Sequence, residues 1–370
     1  MKYWFQMKSL LIPLLFWLTT NSIVAQNRIT GNVIDIITNE PIPYANVFLA
    51  NTLIGTSTNN EGNFLLEGFS DGKYLLTVTH VGYQSYQVSL DFDHADVYSD
   101  QIRLVPISVT LNEIQVAEDT TDRSANLEIF KRLVIGISGN ANECIILNPQ
   151  KLHLFYDANS KSLYGHSKEP LIIENRVLGY RIFYVIDTFE YNSLNSTVSS
   201  FGIPRFELLE SSNQVEQKKW IKNREEAYLG SVMHFIRSLY QNQIRQNGFG
   251  LMRLDLSNKR KNNYTDSLTV VKNIVNGKGI TNWIKYDGRL MVTFNRKKIT
   301  NGLSTKLKGN KKHESIITFL EGGISVFSNG EYENIKSLIF DGYWARSETM
   351  VNWLPYDYLP LETTSRYPPD

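Results

Sequence analysis

The sequence has few of the features from which chemistry is usually inferred. Its 370 residues include one cysteine, Cys144, so an exported chain could form no internal disulfide. The residues that follow it, Ile145, Ile146 and Leu147, predict a buried, inert thiol rather than a nucleophile. Lysines and arginines number 38 and aspartates and glutamates 37, and the resulting net charge of +1 indicates no class of partner.

Recognisable catalytic motifs are also missing. The chain has no His-Glu-x-x-His helix, no Gly-x-Ser-x-Gly elbow, no phosphate-binding loop and no cysteine pair. We therefore predict a protein that is not an enzyme and that needs no cofactor. An undetected hydrolase site, directed at peptides or glycans, is the alternative.

Two short segments suggest a metal ion, and we interpret both as structural. Gly165 to Glu169 contains the His-x-x-Glu part of the zinc carboxypeptidase pattern, in His166 and Glu169, but the third ligand would have to be His234 or His313. The loop from Asn59 to Asn63 offers one carboxylate among amides, which is too little negative charge for Ca²⁺. We expect no metal at either place.

Long apolar runs are absent after the first 26 residues. Lys2 and Lys8 precede an apolar run from Leu10 to Leu18, which is too short for a permanent membrane helix. Cleavage after Ala25 would suit a secretory signal peptide spanning residues 1–26. We expect an exported protein of the periplasm or the outer-membrane periphery.

Residues 27–106 have the pattern of a small β-sandwich. Apolar side chains alternate with polar ones along three stretches, as half-buried strands require. Turn residues separate the stretches, as in Asn59 to Gly62 and Ser70 to Gly72. The alternating positions are Ala45, Val47 and Leu49, then Tyr74, Leu76 and Val78, then Tyr86, Val88 and Leu90.

Glycines, aromatic residues and a proline recur as landmarks through this stretch: Gly31, Pro43, Ala45, Val47, Gly55, Gly62, Phe64, Gly72, Tyr74, Gly82 and Tyr83. With these landmarks the stretch resembles the carboxypeptidase-regulatory-like domain of envelope proteins from Bacteroidetes-type bacteria. This resemblance implies a non-catalytic module, and we predict a seven-stranded Greek-key sandwich of transthyretin or immunoglobulin type. TonB-dependent receptors carry a large barrel after this module, whereas here a linker strand (107–126) leads to a helical block.

Residues 127–370 predict a second, α+β domain. Helical spacing appears over Leu127 to Ile137, Gln214 to Tyr228 and Val232 to Gln246, with Gly230-Ser231 as a break and an N-cap. Strand-like segments lie between and after these helices and predict an antiparallel sheet. The region resembles the C-terminal part of short, exported proteins that begin with the same module, for which the resemblance implies no defined activity.

Three groups of residues are candidates for function. A polar cluster could form a site, although structural ion pairs would gather the same charges. A basic stretch could make weak contact with an anionic membrane surface, and an aromatic group near the C-terminus could bind a glycan or a protein. They are, in turn, Glu174, Arg176, Arg181, Arg224, His234 and Arg237; then Arg296, Lys297, Lys298, Lys306, Lys308, Lys311 and Lys312; then Tyr343, Trp344, Trp353, Tyr356 and Tyr358.

The sequence thus predicts an exported, non-catalytic binding or scaffolding protein of the cell envelope. Its partner would be an envelope protein or a glycan, and nucleic acid is not expected in that compartment.

Overall fold

The computed structural model describes most of the chain after the predicted signal peptide. The described residues are 27–93, 97–107, 122–137, 141–254, 263–265, 269–274, 280–299, 311–333 and 338–360. The predicted signal peptide, Lys306, Lys308 and most of the predicted linker lie outside them. The domain boundaries at residues 106 and 126 therefore stay predictions.

The N-terminal region is a sandwich of two sheets, as predicted. The first sheet has the order β4-β1-β7 and the second β3-β2-β5-β6; β1 and β7 are parallel, and all other neighbours are antiparallel. The strands are β1 (Asn27–Asp35), β2 (Asn46–Leu49), β3 (Gly55–Ser57), β4 (Asn63–Phe69), β5 (Gly72–Thr79), β6 (Tyr86–Phe92) and β7 (Val97–Leu104).

The core of the sandwich consists of apolar side chains from both sheets. Val47, Leu49, Tyr74, Leu76 and Val78 have no exposed surface, which confirms the alternation read from the sequence. The residues of this core form a cluster of their own, separate from the core of the C-terminal region.

The C-terminal region begins with a six-stranded antiparallel sheet. Its order is β8-β11-β12-β10-β9, and β13 pairs with the long strand β12. Cys144 is buried in β8, as predicted, and burial raises the pKa of its thiol to about 12. The strands are β8 (Cys144–Ile146), β9 (Leu152–Asp157), β10 (Ser162–Ser167), β11 (Leu171–Asn175), β12 (Tyr180–Asn192) and β13 (Thr197–Leu208).

Two further antiparallel sheets follow. One has the order β15-β14-β18-β19-β21 and the other the order β16-β17-β20. Their strands are β14 (Asn247–Leu254), β15 (Asn263–Thr265), β16 (Thr269–Ile274), β17 (Ile280–Lys285), β18 (Gly288–Ile299), β19 (Lys312–Phe319), β20 (Gly323–Val326) and β21 (Leu338–Gly342).

Four α-helices accompany these sheets in the described part of the chain: α1 (Arg123–Phe130), α2 (Gln214–Tyr228), α3 (Val232–Tyr240) and α4 (Trp344–Ser347). The pattern predicted α2 correctly. The first helix begins earlier than expected because Asp122 caps it, and it continues as a π-helical turn to Ile135. Helix α3 ends six residues early, and Asn242 beyond it has a left-handed backbone. None of the described helices is long and apolar enough to cross a membrane.

The loop between β2 and β3 attaches the sandwich to the C-terminal region. The Asn51 N–H donates to the carbonyl of Pro204 over 2.7 Å, and the Asn51 carbonyl accepts from the Tyr356 N–H over 2.6 Å. The Leu53 N–H donates to both carboxylate oxygens of Asp357, at 3.1 and 3.2 Å. The loop is thus held on both sides by backbone groups and one carboxylate.

A second contact joins the β4–β5 turn to the segment after β20. Ser328 Oγ donates to the carbonyl of Asp71 and Asn329 Nδ2 to that of Lys73, each over 2.7 Å. The Lys73 ammonium pairs with Glu333. These bonds bring residues more than 250 positions apart into one interface.

Candidate functional site

The predicted polar cluster does not assemble into one site. Glu174 accepts from Arg181 Nη2 at 2.7 Å and from Arg176 Nη2 at 3.0 Å, along the β11–β12 hairpin. The hydrogen bonds from Arg181 and Arg176 lower the pKa of the Glu174 carboxyl. Arg176 is exposed and Arg181 half-buried, so this trio is a surface ion-pair group.

Arg224 has a different task, because it holds the β11–β12 turn against helix α2. Its Nε donates to the carbonyl of Leu178 at 2.6 Å and its Nη2 to that of Gly179 at 3.1 Å. Trp220 Nε1 donates to the Arg176 carbonyl nearby. Gly179 has a φ of +70°, and a Cβ there would lie 2.3 Å from the Trp220 indole, so a larger residue would push the helix away.

His234 is enclosed in the core of the C-terminal region. Its Nδ1 accepts from the Gly230 N–H, and its ring lies against Tyr228, Phe249 and Phe294. Burial lowers the pKa of this imidazole to about 3, so it is neutral at physiological pH. Such a ring is a packing element rather than a proton donor to a ligand.

Arg237, one turn further along α3, binds backbone carbonyls. Its Nε and Nη2 donate to the carbonyl of Asn329, its Nη1 to that of Tyr358, and its Nη2 also to that of Tyr356, all at 2.9 to 3.1 Å. The guanidinium therefore fastens the C-terminal segment and the segment after β20 to α3. The six predicted residues thus divide among a surface ion-pair group of three, the contact of Arg224 with the β11–β12 turn, and the two separate settings of His234 and Arg237.

The residues of the zinc-like pattern also have other partners. The His166 ring stacks on His153, with centroids 5.1 Å apart, and Glu169 pairs with Lys151 at 2.5 Å. His313 stacks on Tyr343, far along the chain in β19. Within the described ranges, no three His, Cys, Asp or Glu side chains come together as a metal site would require.

The predicted aromatic surface is wrong for Trp344. This side chain is 1% exposed, and its Nε1 donates to the carbonyl of Gly230 over 2.8 Å. Trp353 packs edge-on against Tyr184, and Tyr358 packs against Tyr228. Trp353, Tyr343, Tyr356 and Tyr358 are half-buried and do not form an open platform with Trp344.

The predicted basic surface is wrong for Arg296, which is buried, and only partly right for Lys311, which is half-buried. Arg296 is 3% exposed and pairs with Glu226 on α2. Lys311 is half-buried, and its Nζ donates to the Glu226 carbonyl over 2.6 Å. Lys297, Lys298 and Lys312 are exposed. The prediction failed for these two cations because a run of basic residues does not show which side chains find a partner inside the protein.

A polar cavity of about 210 Å³ lies beside Glu226 and Lys311. The β11–β12 turn, helix α2, the N-terminus of α3, the start of β19 and the segment around α4 each form part of its wall. Residues from all five contribute, including Leu178, Asn223, Glu226, Ser231, Lys311 and Glu348.

Helix α3 begins at the cavity. Ser231 caps it by accepting from the His234 N–H, as the Gly-Ser pair predicts. Gly230 has a φ of +81°, and a Cβ there would lie 2.5 Å from His313 Nε2, so only glycine fits. Glu348 Oε1 accepts from the Val232 N–H over 3.1 Å, at the end of the helix where backbone N–H groups favour an anion.

Glu348 and Lys311 have pKa values displaced towards neutrality. Burial raises the pKa of Glu348 to about 7, against opposing contributions from the Val232 N–H and Lys311. Burial lowers the pKa of Lys311 to about 8, while Glu226 and Glu348 act in the other direction. Among the ion pairs of the described residues, none joins Lys311 to Glu348 within 4.0 Å. Two half-buried, titratable groups of opposite sign therefore line one cavity without a direct ion pair between them.

Sequence reasoning missed this site. Glu348 stands between Ser347 and Thr349 with no motif around it, and Lys311 belonged to the supposed surface patch. The one available signal was the Gly230-Ser231 helix start, because a capped helix N-terminus is where a carboxylate is expected to be useful.

The comparisons with known proteins concern mainly the sandwich. Residues 29–116 match the family model of the CarboxypepD_reg-like domain, which confirms the domain predicted there and extends ten residues into the predicted linker. No curated protein matches the chain.

Solved structures give only weak likenesses. A cohesin–X-dockerin complex from Acetivibrio cellulolyticus is 17% identical over 29% of this chain and 74% of that chain, with a TM-score of 0.21. A DUF3823 family protein from Parabacteroides merdae is 12% identical over 53% and 84%, with a TM-score of 0.18. A membrane-associated protein of unknown function from Bacteroides fragilis is 11% identical over 86% and 94%, with a TM-score of 0.17. These TM-scores are too low to bear on function.

Proposed function

We propose that this chain is an exported, non-catalytic binding protein of the bacterial cell envelope, whose C-terminal region holds a small polar ligand. The observation that carries the proposal is the cavity flanked by Lys311 and Glu348, which form no direct ion pair in the described structure. A charge that is partly withdrawn from water without a counter-ion is costly, so a site that keeps two such charges apart is suited to an occupant that completes their contacts.

The other charged groups singled out by the sequence support a scaffold around this cavity. Arg224 holds the turn that carries Leu178, and Arg237 fastens the segment that leads to the sandwich contact. Both arginines donate to backbone carbonyls, so their charge serves the architecture. The CarboxypepD_reg-like domain, attached through Asn51 and Leu53, would then act as a structural partner.

Thermal unfolding in the presence of a panel of small polar molecules tests the binding function. A ligand that binds only the folded protein stabilises it by RT ln(1 + [L]/Kd), so the melting temperature rises with ligand concentration. We expect at least one hit that is lost in K311M and E348Q and kept in K312M and E314Q, which alter exposed neighbours. Hits that persist in both cavity variants would overturn the site, and conversion of a bound molecule into product would replace binding by hydrolysis.

The envelope assignment needs its own measurement. We expect the full-length chain to appear in the envelope or periplasmic fraction, shortened by the leader, when expressed in a Gram-negative host. Mass spectrometry of the mature N-terminus reads the cleavage position directly, and a chain that begins at Met1 in the cytoplasmic fraction would contradict export.

A further inference from the structure

The size of the cavity limits its occupant. Pockets for drug-sized ligands span about 300 to 1,000 Å³, whereas this one measures about 210 Å³. A peptide or an oligosaccharide would not be enclosed in such a volume. A molecule of a few heavy atoms would fit inside it.

The charges that line the cavity limit the occupant further. Three charged side chains line it, Glu226, Lys311 and Glu348, and Glu226 already pairs with Arg296. Lys311 and Glu348 remain. A ligand with one charge would complete the contacts of one of them and leave the other buried without a counter-ion. A ligand with both charges completes both.

The unused hydrogen-bonding capacity of Lys311 and Glu348 also suits a ligand that carries both charges. Lys311 has three donors, of which the Glu226 carbonyl accepts one. Glu348 Oε1 accepts from the Val232 N–H, and its second oxygen faces no backbone donor in the described contacts. The ammonium can therefore donate to a carboxylate, and the carboxylate can accept from an amine.

Two amide side chains of the cavity wall can contact either end of such a ligand. Asn223 Nδ2 donates to the Val177 carbonyl, and Asn352 Nδ2 donates to the Ser347 carbonyl. Each NH₂ group has a second N–H, and each amide has a carbonyl oxygen, so these side chains can donate to a carboxylate or accept from an amine. The ends of the ligand are therefore set by Lys311 and Glu348.

We infer that the cavity binds a small zwitterion, with its ammonium group at Glu348 and its carboxylate at Lys311, as in a free amino acid. The inference rests on the proposed binding function and deepens it. The position of each charge follows from the side chain opposite it, and the volume sets the length between them to a few bonds.

Calorimetric titration at pH 7.5 tests the inference with probes matched in size. Glycine, β-alanine and 4-aminobutyrate carry both charges at increasing separation, ethylamine carries only the cation, propionate only the anion, and lactamide neither. We expect at least one zwitterion to bind about tenfold more tightly than every single-charge probe, because only a zwitterion contacts both charged side chains. A tenfold difference corresponds to about 1.4 kcal/mol.

Two variants assign the ends of the ligand. K311M should weaken zwitterion binding at least about tenfold and leave ethylamine unchanged, and K311R should restore part of the loss because it keeps the charge. E348Q should weaken the zwitterion and leave propionate unchanged. Circular dichroism and the melting temperature without ligand show that each variant is folded.

The outcomes separate the two proposals. The zwitterion proposal would be overturned if lactamide bound as tightly as the zwitterions. It would also be overturned if no zwitterion bound while the wider panel gave another hit. Either result would leave the proposed binding function standing. No hit from either set would overturn both. Zwitterion affinity that is unchanged in K311M and E348Q would overturn the assignment of the two ends.

Discussion

The sandwich and the C-terminal region bury different kinds of side chain. Among the described residues, the sandwich buries one ionisable carboxyl, Asp35, which ends β1 and accepts from the Ile37 and Thr38 N–H groups and the Tyr83 hydroxyl. The C-terminal region buries Glu225, His234, Arg237 and Arg296, and lines a cavity with Lys311 and Glu348.

This difference suggests that the sandwich mainly stabilises the protein, whereas the C-terminal region holds the candidate binding site. An apolar core gains free energy from burial without specific partners, whereas each buried charge needs a partner to be tolerated. Arg237 and Arg296 have their partners, a set of carbonyls and Glu226 respectively. Lys311 and Glu348 have incomplete ones, so a ligand could complete their contacts.

The largest expected effect comes from removing a satisfied buried charge. R237M should lower the free energy of unfolding by about 3 kcal/mol or more, because each buried carbonyl left unpaired costs about 1 to 3 kcal/mol and Arg237 serves three. Urea unfolding measures it. R28M, at an exposed pair with Glu67, is the control and should change stability by less than about 1 kcal/mol. Equal effects would remove the contrast between the regions.

The contact between the regions should give a smaller effect. D357A leaves the Leu53 N–H without its acceptor and should cost about 1 to 3 kcal/mol. D357N keeps an acceptor oxygen and should stay close to the wild type. Hydrogen exchange at residues 50–54 reports the contact itself, and faster exchange in D357A alone is expected. Unchanged exchange would mean that the sandwich is held by its other contacts.

Glu348 should make stability depend on pH. Its pKa, about 7 in the folded protein, lies above the ordinary value of 4.5. The unfolded chain therefore loses this proton first, and the free energy of unfolding falls as pH rises from about 5 to 7. E348Q should remove that fall and be relatively more stable above pH 7, as read from urea unfolding at several pH values.

The surroundings of Glu348 leave this sign unchanged. Burial keeps the neighbouring tyrosines neutral over the range, and Lys311 stays mostly protonated below pH 8. E314Q, at an exposed carboxylate, serves as the control. Parallel pH profiles for the wild type and E348Q would contradict the prediction. The groups facing Glu348 are Lys311, Tyr332, Tyr343 and Tyr356.

The smallest expected effect concerns the exposed lysines of β18. We expect weak binding to anionic vesicles that falls with added salt, because exposed charges are screened at physiological ionic strength. K297S/K298S should reduce pelleting with vesicles, whereas K218S/K222S on α2 removes the same charge elsewhere and should not. Equal pelleting by both variants would remove this surface from consideration.

The sequence predicted best those features that neighbouring residues encode. Alternation at Val47, Leu49, Leu76 and Val78 predicted the sandwich core because a strand's two faces are written in adjacent residues. Helix α2 was predicted for a similar reason. The prediction for α3 ran too long, because its end depends on a change of backbone conformation that the apolar spacing does not encode.

The sequence by itself determined the sandwich, the antiparallel C-terminal sheets with their helices, and the buried thiol of Cys144. Only the tertiary structure decided which charges face inward. Arg296 and Lys298 look alike in the sequence, yet one pairs with Glu226 and the other is exposed. Glu348 approaches Lys311 and the first turn of α3 through the packing of distant segments. A charged side chain can face inward only where partners from distant parts of the chain surround it, so no local sequence pattern could predict it.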